Sequence, residues 1–309
     1  MREVVWSGDA ISADGVYADV PMDVYHKDLC VAPSVSSSGL RTIALRSPLH
    51  FFDNSYLNLE REPEDKPHFV LGRAVHSLLL SEGGFNDDYV VRPAQWKDWR
   101  KGEAQEWRGA MLAEGKSILT PENLEQIRGM ARAVAAEPEV ATLLRGRIER
   151  TLIYRHETGV FVKVRPDVIQ PEDNASWDLK TTTDASDRAV GNTIRSYGYD
   201  QQIALTLECF MRFTDNDPET FFGGDIFVET KRPFAINVKP IDVDDLWRAR
   251  RVNEWAIRRF AACVEAWDWP AYPDSFEPWR APEYLRRARD ENPELPNPPV
   301  PERMNEELA

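Results

Sequence analysis

The chain has few cysteines and no long apolar run, and both absences restrict the kind of protein it can be. Its three cysteines, Cys30, Cys209 and Cys263, lie far apart and show no CxxC spacing, so neither a disulfide framework nor a zinc knuckle is indicated. No apolar run approaches the roughly 20 residues needed to cross a bilayer, and the N-terminal MREVVWSGDA lacks the apolar segment of a signal peptide. We therefore expect a cytoplasmic protein with no membrane partner.

Positive charge is also scarce. The formal net charge of -14 argues against a uniformly basic surface that coats nucleic acid, although basic residues can still cluster locally. From Asp290 to the end the sequence holds six acids, one arginine and five prolines, a composition typical of an unstructured tail. We expect one domain over residues 1–289, followed by an acidic, proline-rich tail over residues 290–309.

Helical patterns dominate the first half of the chain. Serines 36–38 and Ser47-Pro48 have the sequence of helix N-termini, and Thr120-Pro121 begins another helix. Between them, HFVLGRAVHSLLL is apolar on most sides and is followed by Gly83-Gly84, which predicts a largely buried helix that ends there.

Strands appear after Arg147. The stretch RIERTLIYRHETGVFVKVRPDVIQ alternates as two strands with a turn at 157–159, and ASWDLKTT supplies a third. Helices at about 187–195 and 199–213, a second strand pair that turns at 231–233, and a helix at about 243–266 complete the pattern. The sequence predicts an α/β (α+β) domain in which helices flank a central mixed sheet, with helical N-terminal and middle insertions.

The stretch WDLKTTTD carries the first chemically suggestive residues. On a strand, Asp178 and Lys180 share one face, while Leu179 points to the other face and can enter the core. Upstream, Asp167 follows Pro166, which has no backbone N–H and must end or distort strand pairing. If the two strands are neighbours, Asp167 and Asp178 converge at one end of the sheet.

Two carboxylates beside a lysine suit metal-assisted phosphodiester hydrolysis. Hard oxygen ligands hold Mg²⁺ or Mn²⁺, and the lysine can orient the attacking water. On this pattern alone, an exposed strand with an ion pair is equally compatible. His76, inside an apolar helix, needs a polar partner; it is either a core histidine with a satisfied ring or a metal ligand that faces the carboxylates. Glu82 is a weak candidate for a further ligand.

Four segments together resemble a known superfamily. GRAVHSLLL, KVRPDVI, WDLKTTTDAS and YGYDQQIAL are similar in order and spacing to the motifs of PD-(D/E)XK nucleases. They most resemble the C-terminal nuclease domain of the RecE type, also called exonuclease VIII, and its phage-encoded relatives. The likeness extends to MDVYHKDLCVAPSVSSSGLRTIALRSPLHFF and WPAYPDSFEPWRAPEYL, so it covers most of residues 20–285. It implies a restriction-endonuclease-like core.

The resemblance also implies an activity. It predicts a Mg²⁺-dependent exonuclease, with Mn²⁺ as a substitute, that degrades linear double-stranded DNA 5′-to-3′ and leaves 3′ tails for a RecT-like annealing protein. It assigns His76, Asp167, Asp178 and the Leu179 carbonyl to the metal, and Lys180 to the attacking water. It further implies a homo-oligomeric ring and a phage or prophage origin in a bacterial host.

The chain departs from one related motif. RecB-like relatives carry Gln-x-x-x-Tyr on a helix; here Gln202 matches, but Thr206 stands at the tyrosine position. Tyr199 and Thr181, with Gln202, are the candidate substrate-binding residues. Three scattered cysteines do not supply the four that an iron–sulfur cluster needs, so no such cluster is expected.

Two alternatives to an active exonuclease remain open. Thr206 and the acidity of the chain motivate an inactive nuclease fold that binds DNA ends or a recombination partner; an endonuclease of the same superfamily is the second. Either way, DNA contact requires locally clustered basic residues, and three groups offer them. These groups are Arg92, Lys97, Arg100 and Lys101, interleaved with Trp96 and Trp99; Arg248, Arg250 and Arg251; and Arg286, Arg287 and Arg289.

Overall fold

The structure of the protein, a computed structural model, describes residues 1–61, 67–80, 84–272 and 280–291. The chain divides into two units, Met1–Tyr272 and Pro273–Ala309. The second unit contains one helix within the described residues, Glu283–Asp290. Most of the predicted acidic tail, from residue 292 onward, lies outside the described residues, as does the predicted helix end at Gly83.

The first unit is built from eleven described helices and twelve strands. The helices are α1 (Met22–Tyr25), α2 (Ser37–Leu45), α3 (Pro48–Asn54), α4 (Pro67–Leu80), α5 (Phe85–Asp88), α6 (Gly102–Ala113), α7 (Pro121–Ala136), α8 (Pro138–Leu143), α9 (Asp187–Tyr197), α10 (Tyr199–Phe213) and α11 (Val243–Ala266). The strands are β1 (Glu3–Val5), β2 (Gly15–Ala18), β3 (Ser34–Ser36), β4 (Tyr89–Val91), β5 (Ser117–Leu119), β6 (Arg147–Ile148), β7 (Thr151–Arg155), β8 (Phe161–Val164), β9 (Val168–Gln170), β10 (Ala175–Thr182), β11 (Phe222–Glu229) and β12 (Ile236–Pro240).

The strands form two five-stranded mixed sheets and one small pair. The first sheet has the order β1-β2-β7-β8-β3, the second has the order β12-β11-β10-β9-β6, and β4 pairs with β5. Both large sheets contain parallel and antiparallel neighbours. The predicted mixed α/β class is confirmed. The presence of a second sheet was not predicted, because β1 to β3 have only three or four residues each, too few to show alternation.

A bent hairpin joins the two sheets. β7 pairs with β8 in the first sheet, and β6 pairs with β9 in the second. The strands change sheet at Glu149, whose φ is 50°, and at Pro166, which cannot donate a hydrogen bond to a ladder. The Glu149 amide donates to the Asp167 carbonyl at 2.9 Å across the bend. Asp167 therefore lies at the junction of the sheets.

The predicted helix starts are confirmed by their caps. Ser36 Oγ accepts from the Gly39 amide at 3.2 Å, and Ser47 Oγ accepts from the His50 amide at 3.3 Å. Thr120 and Asn123 form a reciprocal capping box at the start of α7. Each cap satisfies an amide that the first helical turn leaves without a carbonyl partner.

The two faces of β10 meet different layers. Trp177 and Leu179 are fully buried in a core with Val75 of α4 and Met130 of α7, which confirms that Leu179 faces the core. The opposite face of β10 carries Asp178 and Lys180 toward α10. In the described part of the chain, no helix is both long enough and apolar enough to cross a membrane.

Candidate functional site

The site begins where the ladder between β9 and β10 stops. Trp177 pairs with Val168, so the next position on that edge would set Leu179 opposite Pro166. Pro166 has no N–H, and the Asp167 side chain replaces the missing strand: its Oδ2 accepts from the Leu179 amide at 2.7 Å. Because N–H and C=O of one residue point to the same edge of a strand, the Leu179 carbonyl is left outside the ladder.

His76 of α4 faces this unpaired edge. Its Nε2 lies 2.8 Å from the Leu179 carbonyl oxygen and 3.0 Å from Asp167 Oδ2, and its Nδ1 lies 2.8 Å from the Gly72 carbonyl oxygen. A carbonyl only accepts, so Nδ1 carries a proton, and the ring is oriented by Gly72. The ring is partly buried, and its Nε2 faces two acceptors. The sequence alone did not show which groups would surround this histidine.

Burial and the charge of the partner shift the pKa values of His76 and Asp167 in opposite directions. Burial alone would lower the pKa of His76, but the Asp167 carboxylate raises that pKa to about 9. Burial would likewise raise the pKa of Asp167, whereas His76 and then Lys180 hold it below its usual value. With no metal present, the pair is therefore an imidazolium and a carboxylate.

Asp178 and Lys180 lie on the face of β10 opposite the Leu179 side chain, as predicted. Asp178 is 1% exposed, and its Oδ1 accepts from Gln202 Nε2 at 2.5 Å and from Lys180 Nζ at 3.2 Å. Burial and the nearby Asp167 raise the pKa of Asp178, and Lys180 opposes both effects. Burial would lower the pKa of Lys180, but the surrounding carboxylates raise it, so the ammonium remains charged.

Asp225 is a site residue that the sequence reasoning missed. It lies on β11 in register with Asp178, where parallel pairing puts both side chains on one face, and its Oδ1 is 3.8 Å from Lys180 Nζ. It is fully buried, and burial raises its pKa to about 7 despite Lys180. An acid inside the apolar stretch FGGDIFV of this strand was the available signal.

Several buried carboxylate oxygens at this site lack a donor. Within the described part of the chain, Asp178 Oδ2 and both oxygens of Asp225 have no hydrogen-bond partner. Buried carboxylate oxygens without donors are costly, and a divalent cation would supply the missing partner. Carboxylate, imidazole and backbone carbonyl donors together suit Mg²⁺ or Mn²⁺, so the residues present fit the predicted metal.

The predicted side chains are not one tight cluster. Among the described residues, only His156, Glu157 and Glu254 place three ligand atoms within 4.8 Å of one another, so His76, Asp167 and Asp178 are spread more widely than that. The His156 group already holds a cation: Arg258 bonds to Glu157 and lies 2.6 Å from Glu254. That guanidinium neutralises the carboxylates, and the group is better explained as a surface ion-pair network.

Of the remaining predicted residues, Tyr199 lies beside Lys180, whereas Thr181 and Thr206 have other neighbours. Tyr199 lies with its ring centroid 4.7 Å from Lys180 Nζ, and the Arg41 guanidinium lies 5.5 Å from the same ring. Thr181 is on the Leu179 face, next to α4 at Gly72. Thr206 is buried, and its hydroxyl donates to the Gln202 carbonyl at 3.3 Å within α10. Glu82 lies outside the described residues.

The basic groups named from the sequence are mostly tied to acids or rings. Arg248 pairs with Asp245, and Arg250 pairs with Glu208. Arg92 lies over the Trp99 ring at 5.6 Å, in a cluster where Trp96 and Trp99 both contact Trp107. Of the third group, Arg287 pairs with Glu283 in the second unit.

Comparison with known protein families gives one match that covers most of the chain. The model of a family described as a PDDEXK-like domain of unknown function (DUF3799) matches residues 36–282. No curated protein matches the sequence.

The solved structures that are similar to this chain include the following two. One is a "Putative exonuclease" from Eubacterium rectale, 14% identical, with a TM-score of 0.59 over 89% of this chain and 100% of that chain. The other is a phage related exonuclease from Haemophilus somnus 129PT, 11% identical, with a TM-score of 0.33 over 77% of this chain and 97% of that chain. The first shows a shared fold, and the second is too distant to carry an argument.

The family match covers most of the chain and includes the segments that carry His76, Asp167 and Asp178. It confirms the resemblance to the PD-(D/E)XK superfamily. The chain belongs to the PDDEXK-like family DUF3799.

Proposed function

We propose that the protein is a metal-dependent nuclease that hydrolyses DNA phosphodiester bonds. The observation that carries the proposal is the pair of buried carboxyl groups, Asp178 and Asp225, that share one ammonium, Lys180, near the partly buried Asp167. Carboxylates buried in such excess over their cationic partner are costly to the fold. A site that recruits a divalent cation explains their presence better than a structural ion pair does.

The residues divide into metal ligands and positioning groups. His76 Nε2, Asp167 Oδ2, the Leu179 carbonyl and Asp178 Oδ2 would hold Mg²⁺ or Mn²⁺. The bound ion would polarise the phosphate and lower the pKa of a bound water. The Gly72 carbonyl fixes the ring of His76 at 2.8 Å, the kind of contact that orients metal-ligating histidines.

Lys180 is the proposed water-positioning residue. Its Nζ bonds to Asp178 Oδ1 at 3.2 Å and to Gln202 Oε1 at 3.4 Å, so two neighbours fix the ammonium. A fixed ammonium can orient the attacking water and offset charge that develops on the phosphate. Gln202 also occupies Asp178 Oδ1, which leaves Oδ2 for the metal. Tyr199, stacked against Tyr197 at 5.7 Å, and Thr181 are proposed to contact the DNA.

The finer proposal is a 5′-to-3′ exonuclease on linear double-stranded DNA. It is supported by the RecE-type motifs, by the family match and by the shared fold with the Eubacterium rectale protein. The product would be a 3′ single-stranded tail, the substrate of a RecT-like annealing partner, and a homo-oligomeric ring would keep the enzyme on its DNA. A phage or prophage origin in a bacterial cytoplasm is part of the same proposal.

The test is cleavage of end-labelled DNA by the purified protein. With Mg²⁺ we expect release of 5′ label from linear duplex before 3′ label, and no release in chelator. Lys180→Met and Asp178→Asn should lose about 10²- to 10⁴-fold in rate. Lys239→Met, which removes the surface partner of Asp187, is the matched control and should cleave normally.

Three outcomes would redirect the proposal. Cleavage of covalently closed circles would indicate an endonuclease, and loss of 3′ label first would reverse the polarity. Binding of DNA ends by the wild type with no metal-dependent cleavage would instead favour an inactive nuclease fold that holds ends or a recombination partner.

A further inference from the structure

A basic cavity of about 550 Å³ lies between α2, α3 and β8. Arg46, Arg61 and Lys163 line it, together with serine hydroxyls and the first turn of α2. Among the described residues, none that line the cavity is acidic. In a chain with a net charge of -14, such a concave surface favours an anion.

Lys163 is the most informative residue of the cavity. It is 3% exposed, and among the described residues its ammonium makes one hydrogen bond, to the Lys27 carbonyl at 3.2 Å. The rings of Tyr25 and Tyr56 lie 5.2 and 5.5 Å from Nζ. No ion pair within the described ranges involves this lysine. An ammonium has three donors, so two of them lack a partner that a bound anion would provide.

The electrostatics of Lys163 agree with this geometry. Burial lowers its pKa to about 8, and Cys30 and then Asp28 only partly oppose that effect. The same cationic surroundings act on the neighbouring His26, whose pKa is lowered first by burial and then by Lys163. A buried, unpaired ammonium is unfavourable, and an anion beside it would remove much of that cost.

The N-terminus of α2 supplies a second, independent attraction. α2 has nine residues, and Ser36, Ser38 and Gly39 of its first turn line the cavity. Ser36 Oγ satisfies the Gly39 amide, so the two preceding amides have no acceptor within the helix, at the positive end of a helix dipole that borders the cavity. Arg46 and Arg61 at the rim make no ion pair with any acid in the described ranges.

We propose that this cavity binds the phosphate of a nucleotide unit, either a free nucleoside monophosphate or the terminal nucleotide of a DNA strand. Its volume is within the range of small-molecule sites, and Tyr56 offers a ring beside the charged groups. Two connections along the chain link it to the candidate site: α2 also carries Arg41, which lies over Tyr199, and Lys163 precedes Asp167 by four residues. The choice of a nucleotide, rather than another phosphate, rests on the proposed function.

Calorimetric binding in chelator tests the proposal without cleavage. The probes are inorganic phosphate, thymidine, thymidine 5′-monophosphate, and one oligonucleotide with a 5′-phosphate, a 3′-phosphate or neither. We expect the monophosphate to bind at least tenfold more tightly than thymidine. A phosphorylated oligonucleotide that binds at least tenfold better than the unphosphorylated one assigns the cavity to a strand end. If the three oligonucleotides bind equally well and the monophosphate still binds, the cavity is assigned to a free nucleotide.

Variants tie the binding to the cavity. Arg46→Gln with Arg61→Gln changes two exposed side chains and should weaken phosphate-dependent binding at least tenfold. Arg128→Gln with Arg132→Gln, which changes two exposed arginines of α7 outside the cavity, is the matched control. Lys163→Met should have the same effect as the double variant if circular dichroism shows that it folds. Absence of phosphate-dependent binding, or unchanged affinity in the double variant, overturns the proposal.

The two proposals fail separately. Metal-dependent cleavage without phosphate binding in the cavity would remove this inference and keep the nuclease. Phosphate binding that the double variant abolishes, without cleavage by the wild type, would keep the cavity and remove the nuclease.

Discussion

Replacement of Lys180 by methionine tests the charge balance of the candidate site. The side chain is 17% exposed, and its Nζ lies 3.2 Å from Asp178 and 3.8 Å from Asp225. Methionine keeps most of the volume and removes the ammonium. In chelator, two buried carboxylates then face each other without their cation.

The expected loss of stability is about 3 kcal/mol. Removal of one partner from a buried ion pair typically costs about 3–5 kcal/mol. The lower end applies because Asp225, whose pKa burial raises to about 7, can take up a proton when the lysine is gone. For a chain of this size the loss corresponds to a fall in Tm of roughly 6 °C. Lys239→Met, which breaks an ion pair with the exposed Asp187, should cost less than about 1 kcal/mol.

Urea unfolding and thermal melting in chelator measure both losses, and repetition with Mn²⁺ tests the site itself. A divalent ion replaces the lost positive charge, so Mn²⁺ should raise the Tm of Lys180→Met by more than that of the wild type. If Lys180→Met is no less stable in chelator than Lys239→Met, the buried carboxylates do not depend on this lysine. Equal Mn²⁺ effects would show that the ion binds elsewhere.

Three further predictions concern the framework. Pro166→Ala restores an N–H opposite Leu179, which should draw the Leu179 carbonyl back toward the ladder. This change should weaken Mn²⁺ binding by about tenfold with little change in stability. Unchanged Mn²⁺ affinity by calorimetry would contradict this expectation. Gly224→Ala should destabilise by about 2–4 kcal/mol, because a Cβ there meets the backbone of Lys239. Gly191→Ala, where nothing lies within 4 Å, should stabilise α9 by up to about 1 kcal/mol, and urea unfolding compares the two. Lys163 has a native pKa of about 8 against 10.5, so between those values the unfolded chain holds a proton that the native protein has released. Wild-type stability should therefore rise with pH relative to Lys163→Met, by about 2 kcal/mol from pH 8 to 9.5; parallel stability curves for the two proteins would refute the burial argument.

Local sequence signals predicted the elements that have them. Serine and threonine caps marked α2, α3 and α7, and the alternation of ASWDLKTT marked β10, because a cap or a strand period involves only neighbouring residues. The same alternation placed Leu179 in the core and Asp178 with Lys180 on the other face. Strands β1 to β3 were missed because three or four residues carry no period.

The parts of the site that depend on register could not be predicted. Asp225 meets Asp178 only because β10 and β11 pair in parallel after a connection through α9 and α10, and nothing in either strand specifies that alignment. The contact of His76 with the Leu179 carbonyl depends on how α4 packs against the sheet. Gln202 was identified through its resemblance to a motif, whereas its bond to Asp178 depends on the position of α10.

The contacts of His76 also bear on how the site forms during folding. Asp167 and Leu179 are 12 residues apart, and Gln202 is 24 residues from Asp178, but His76 is 103 residues from Leu179. Closing the longer loop costs about 2 kcal/mol more chain entropy than closing the 12-residue one. The carboxylate half of the site can therefore assemble with the local strands and α10, whereas the histidine arrives only when α4 docks. Any ion that needs His76 binds the completed domain and not an earlier, partly folded chain.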